Sequence, residues 1–266
     1  MRRLICLVLA MISSSLPGAE PEGWGHLKGE IVVDEMIVRK PLLKRGEPIF
    51  AHQTLKEAQQ GIPPRQIGFQ LNDVPDPMFL VQEETKGLKN VFVYLQKAPA
   101  AIHPSCKEVP KTPVEFRRPD LFIAEPYALL IRVGQEMRLT NDALDVCNVH
   151  TYPLRNTSFN QVIPVGKTIP GGALPKAERM PIQVKDDIHV VVRSFWLPLD
   201  HPYAAITAAD GSFEIKNLPA GKHEFAVWHA GPGFIERRLA VEIRPGETTT
   251  LPPLEVTAKR LLGEEE

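Results

Sequence analysis

Proline is the feature that most restricts this chain. It occurs 26 times in 266 residues, spread along the length rather than gathered in one tail. A proline removes a backbone donor and fixes φ, so it is excluded from helix interiors and from central strands. Long helices are therefore ruled out over most of the sequence. The elements must be short strands joined by many turns and irregular loops. Only AHQTLKEAQQG (51–61) reads as a helix, closed by its glycine and the following Ile-Pro-Pro. Residues 99–126 hold six prolines and are expected to form a long irregular excursion.

Between the prolines the apolar residues recur with a period of two, the signature of strands. HLKGEIVVDEMIV (26–38) is a β-rich run. In NVFVYLQK (90–97), Val91, Val93 and Leu95 share one face, and Phe92, Tyr94 and Gln96 the other. YALLIRVGQEMRLTN (127–141) reads as two strands about Gly134. DIHVVVRSFWLPL (187–199) reads as one long strand. Asp210-Gly211, NLPAG (217–221) and Pro245-Gly246 are turn signals, and the two earlier ones read as hairpins, with alternating segments between them. The tail KRLLGEEE is expected to fray. The class implied is all-β, built as sandwiches.

The N-terminus reads as a secretory signal over residues 1–19. Arg2 and Arg3 precede an apolar run, Leu4–Ile12, too short to span a bilayer, and small residues follow. Its loss would take the net charge from −1 to about −3 and leave two cysteines, Cys106 and Cys147. The mature chain is then expected to be secreted or periplasmic, with no membrane span. A near-neutral charge without a basic stripe excludes nucleic acid as a partner. In an oxidising compartment two thiols can form a disulfide, and a Cys106–Cys147 bridge is one reading.

A metal site is the competing reading. DVCNVH (145–150) places a cysteine and a histidine three apart, and DDIH (186–189) adds carboxylates and a second histidine. Cys147, His150, Asp186 and His189 are donors of the types that hold zinc or copper. In an extended strand an odd separation sends Cys147 and His150 to opposite faces, so a cross-loop pair of Cys147 and His189 is the easier geometry. His201, His223 and His229 are expected to orient turns, and Phe225 and Trp228 to be core. An exposed Trp228 would instead make a sugar-stacking platform. There is no GxSxG, HExxH, P-loop or dinucleotide fingerprint, and the chain reads as non-enzymatic.

GQEMRLTNDALDVCNVHTYPL, FNQVIPVGKTIP and KDDIHVVVRSFWLPLDHPYAAITAADGSFEIKNLPAGKHEFAVWH resemble secreted bacterial cupredoxin-like proteins of planctomycete type, including those of the methylamine-utilisation kind. From about residue 205 the chain also resembles carboxypeptidase regulatory-like, or transthyretin-like, modules. The resemblance implies a Greek-key β-sandwich over 24–200 with a proline-rich insertion and a small antiparallel sandwich over 201–256; residues 257–266, with their charged end, are expected to be a disordered tail. Copper-binding relatives use an upstream histidine and a loop Cys-x2-His-x2-Met. Here Cys147 stands for the first histidine, Asp186 for the cysteine and Val192 for the methionine; His189 alone is retained. The expectation is an exported binding or structural protein with a degenerate copper site. It would carry no cofactor, copper being the one possible exception, and its partner would be an unknown protein or polysaccharide of the cell envelope. A reshaped metal-binding or electron-transfer site and a carbohydrate-binding module are the alternatives.

Overall fold

The computed structural model describes residues 23–37, 49–51, 60–63, 65–67, 76–189 and 191–264. The expected signal over 1–19 and most of the expected helix at 51–61 lie outside them. In chain order the strands are β1 (Trp24–Val33), β2 (Ile49–Ala51), β3 (Arg65–Ile67), β4 (Phe92–Leu95), β5 (Val114–Arg118), β6 (Ala128–Arg132), β7 (Met137–Asn141), β8 (Cys147–Tyr152), β9 (Asn160–Ile163), β10 (Thr168–Pro170), β11 (Ile182–Lys185), β12 (Arg193–Leu199), β13 (Ala204–Ile206), β14 (Ser212–Pro219), β15 (Gly221–His229), β16 (Gly233–Ile243), β17 (Thr248–Thr250) and β18 (Leu254–Val256). The described residues also form two short α-helices, α1 (Pro104–Lys107) and α2 (Ala258–Leu262), and a single 3-10 turn, Pro77–Phe79. The fold is all-β, in keeping with the spread of prolines along the chain.

Four main sheets stack as two sandwiches. In the first, β14, β1 and β17, with β18 also on β1, face the sheet β13-β4-β15-β16. Leu27, Ile31, Val93, Phe213, Phe225 and Val227 fill the space between them. In the second, β10-β7-β5 faces β6-β12-β11-β8-β9 around Phe116, Leu139, Cys147, Val184 and Trp196. Phe116 meets Trp196 edge to face at 5.0 Å between centroids, the arrangement their ring quadrupoles favour.

The two sandwiches share a third apolar layer. Phe92, Tyr94, Ala226 and Trp228 leave the back of the first and meet Ala128, Phe195, Leu197 and Leu199 on the back of the second. This explains sequence stretches that do not alternate. All four residues of β4 are buried because each of its faces is covered. The face assignment within β4 is as its alternation implies: Val91, Val93 and Leu95 enter the first core, Phe92 and Tyr94 the shared layer.

The sheets do not divide at residue 200. β1 pairs with β14, β17 and β18, and β4 pairs with β13 and β15. The C-terminal strands are thus completed by two strands from the first hundred residues, and the second sandwich lies between β4 and β13 in sequence. NLPAG is not a hairpin: β14 and β15 belong to opposite sheets, and the turn carries the chain from one layer to the other. The proline-rich excursion contains a strand, β5, whose Val114, Phe116 and Arg118 point inward. The tail is not frayed through 257–264. Thr257 caps α2, Gly263 closes it in the left-handed region, and Leu261 is 1% exposed against the first core.

Candidate functional site

The residues that would form a metal centre lie at one end of the second sandwich, where the loop between β11 and β12 meets the loop leading into β8. The strand expected over 187–199 begins only at Arg193. Asp186 is the reason. Its Oδ1 accepts from the backbone of Ile188 at 2.9 Å and of His189 at 3.1 Å, which closes a turn in place of a strand.

The other oxygen of Asp186 faces a buried cation. β5 puts Val114, Phe116 and Arg118 on one face by alternation, so the arginine occupies a position that otherwise calls for an apolar side chain. Its guanidinium crosses to the opposite sheet and donates Nη1 to Asp186 Oδ2. Nε donates to the Ile123 carbonyl at 3.1 Å, and Nη2 to the carbonyls of Leu121 at 3.2 Å and Asp120 at 3.4 Å. The turn supplying those carbonyls is held by Asp120, whose Oδ1 accepts from Phe122 and Ile123. Both side chains of the pair are 1% exposed.

His189 extends the pair outward. Its Nδ1 lies 3.0 Å from Asp186 Oδ2, and its Nε2 lies 3.8 Å from Asp145 Oδ2. Asn141 shapes the loop that presents Asp145, donating to the carbonyls of Asp145 and Ile163 and accepting from Ala143. Burial alone would raise the Asp186 carboxyl, but the His189 hydrogen bond and the charge and hydrogen bond of Arg118 outweigh it and hold the group at about 2.

The remaining expected ligands point elsewhere. Cys147 and His150 lie on β8 with the predicted opposite orientation. Cys147 is fully buried in the core, and His150 faces outward, where its Nδ1 is 2.8 Å from Asp187 Oδ2. Asn148, Asn160 and Tyr152 donate to the same Asp187 carboxylate. Burial pushes the Cys147 thiol up to about 12, so it is uncharged at neutral pH. Val192 is core. Among the described residues no group of three or more His, Cys, Asp or Glu side chains is placed to hold a metal ion. The residues therefore do not fit a four-ligand copper set: Asp186 is taken by a guanidinium, and His150 is on the far face of its strand.

The disulfide reading is also corrected. Cys106 and Cys147 are free thiols. Cys106 sits on α1, its Sγ 3.5 Å from the His103 carbonyl, while Cys147 lies inside the second core. Trp228 is 4% exposed in the shared layer and offers no sugar platform. His201, His223 and His229 do serve turns: His201 bridges the Tyr203 amide and the Leu95 carbonyl, His223 reaches the Pro219 carbonyl, and His229 accepts from Gly231. Among the described residues no helix is long and apolar enough to cross a membrane.

Arg118 was the residue missed in sequence. Its signal was present in VEFRR: a strand whose apolar parity, Val114 then Phe116, continues onto an arginine.

No protein-family model and no curated protein matches the sequence. Among solved structures, a purple cupredoxin from Nitrosopumilus maritimus is similar to 32% of this chain over 99% of its own length, at 14% identity and a TM-score of 0.28. At that score the likeness bears on no question of chemistry here.

Proposed function

We propose that this chain is an exported, non-catalytic β-sandwich protein in which a copper-type loop has become a structural ion-pair centre, leaving the molecule to act as a binding or structural scaffold. The single observation that carries this is the Arg118 guanidinium, which sits on Asp186 with a carbonyl acceptor for each of its other nitrogens. A cation already satisfies the carboxylate, and it is covalently part of the chain. The neutral buried thiol of Cys147 and the outward turn of His150 support the same reading. So do the resemblance of 134–230 to cupredoxin-like proteins of planctomycete type and that of the C-terminal strands to carboxypeptidase regulatory-like modules. The secretory pattern of residues 1–19 supports export to a periplasm or beyond, where an envelope protein or polysaccharide would be the partner.

The test is the metal content and visible spectrum of the purified chain from residue 20 onward, before and after Cu(II), with Cys147→Ser and His189→Ala alongside. The expected result is no stoichiometric copper, no thiolate–copper absorption and no difference between the variants. Stoichiometric copper that is lost in either variant would overturn the proposal and establish a reshaped metal-binding or electron-transfer site.

A further inference from the structure

A second feature lies away from the ion-pair centre. A groove of about 860 Å³ opens where α1 and the chain after it pass over the ends of β6, β12 and β13. That volume is within the range of small-molecule sites, and such sites favour junctions between packed units. Its walls are largely apolar. Leu130, Leu199 and Ala204 line one side, and Val109, 37% exposed, and Pro110 line the other. The far wall comes from residues 108–111 of the proline-rich excursion, which lie between α1 and β5 and belong to no strand. His201 fixes the end of the groove by bridging Tyr203 and Leu95, so the cavity is built on hydrogen-bonded backbone.

Arg132 stands in this apolar setting. Arg132 ends β6 and lines the groove. Its Nη1 donates to the Cys106 carbonyl at 3.2 Å, while its Nε is shielded from water and has no acceptor. Burial pushes the guanidinium below its ordinary value, with the charge of Asp200 acting the other way. Among the described residues no carboxylate forms an ion pair with it. Lys111 adds a second positive charge at the lining, and Glu108 a negative one. A half-buried guanidinium whose Nε has no acceptor, and whose neighbouring carboxylate Asp200 makes no ion pair with it, is an incomplete arrangement, since a charge taken from water needs a partner. Arginine beside apolar walls recognises a planar anion carried on an apolar body. Arg132 and Lys111 against Glu108 leave the lining with a single net positive charge, which matches a single negative charge on the ligand.

We propose that this groove binds an amphipathic organic monoanion. Its carboxylate or sulfonate head is held at Arg132, and its aliphatic or aromatic body lies along Leu130, Leu199 and Val109. The site is separate from the Arg118–Asp186 centre, so the copper titration and this proposal fail independently.

Anilinonaphthalene sulfonate is the first probe, read by fluorescence on the folded chain from residue 20. One equivalent is expected to bind, decanoate or phenylpropionate to displace it, and decanol not to. Displacement by decanoate alone assigns an aliphatic body, and by phenylpropionate alone an aromatic one. Arg132→Gln should weaken binding by roughly tenfold or more, the loss of one charged contact. Val109→Trp, on the exposed rim, should block the groove while leaving the circular dichroism spectrum and melting temperature unchanged. No binding by the wild type, equal binding by a folded Arg132→Gln, or equal displacement by decanol would overturn the proposal.

Discussion

At the scale of single residues, the Arg118–Asp186 pair sets the character of the second sandwich. A buried ion pair is costly to form, and costlier still to break by halves, because the surviving charge remains in an apolar interior. Arg118→Met is therefore expected to destabilise the fold by about 3–5 kcal/mol, measured by urea unfolding. Adding Asp186→Asn should restore part of that loss, because the second change removes the orphaned charge. Strict additivity of the two single losses would show that the pair is not coupled. A pH dependence follows from the same carboxyl. Its folded value, about 2, lies below the ordinary value of 3.8. The stabilisation is thus complete above about pH 4 and is lost as pH falls through about 2. Unfolding curves for Asp186→Asn between those limits should be flatter than for the wild type. Little of this could be read from Arg118 itself, since an arginine following another arginine reads as solvent-exposed. Only the parity of β5 turns it inward, and β5 was hidden by the prolines on either side.

At the scale of elements, alternation located the strands well and their ends poorly. β4, β6 and β7 fall where Val91–Gln96 and the two runs about Gly134 place them, and Gly134 between them has a positive φ of 86°. DIHVVVRSFWLPL failed at its first half. Asp186 accepts two backbone amides there, and a local cap outcompeted the β-propensity of three valines. α2 failed differently. Five residues are too few for helix propensity to signal, and what holds α2 is tertiary: Leu261 against the first core and Arg260 donating to the carbonyls of Phe234 and Ile235. Leu261→Ala should therefore cost about 2–3 kcal/mol, near the low end for a buried leucine because a terminal helix can settle into the space. A change within about 0.5 kcal/mol of wild type would return the segment to the status of a tail.

At the scale of the whole molecule, the sequence showed the materials of two sandwiches but not their sharing of strands. Pairing between residues nearly two hundred positions apart, such as Gly29 with Phe213, leaves no local trace. Residues 201–264 expressed alone should therefore remain unfolded by circular dichroism, because β14 lacks β1 and β15 lacks β4. Supplying residues 23–97 on a second chain should recover strand signal. A folded 201–264 fragment would show that the C-terminal strands are self-sufficient. The close crossing of Gly87 and Gly211 belongs to the same dependence: a Cβ at either would strike the backbone of the other. The interleaving also sets a timetable. On the ribosome, β1 and β4 emerge first, yet β1's partners β14, β17 and β18, and β4's partners β13 and β15, are made only after the whole second sandwich. The earliest part of the chain waits with open edges for the latest, so any event that stalls synthesis past residue 199 strands a finished insert on an unfinished host.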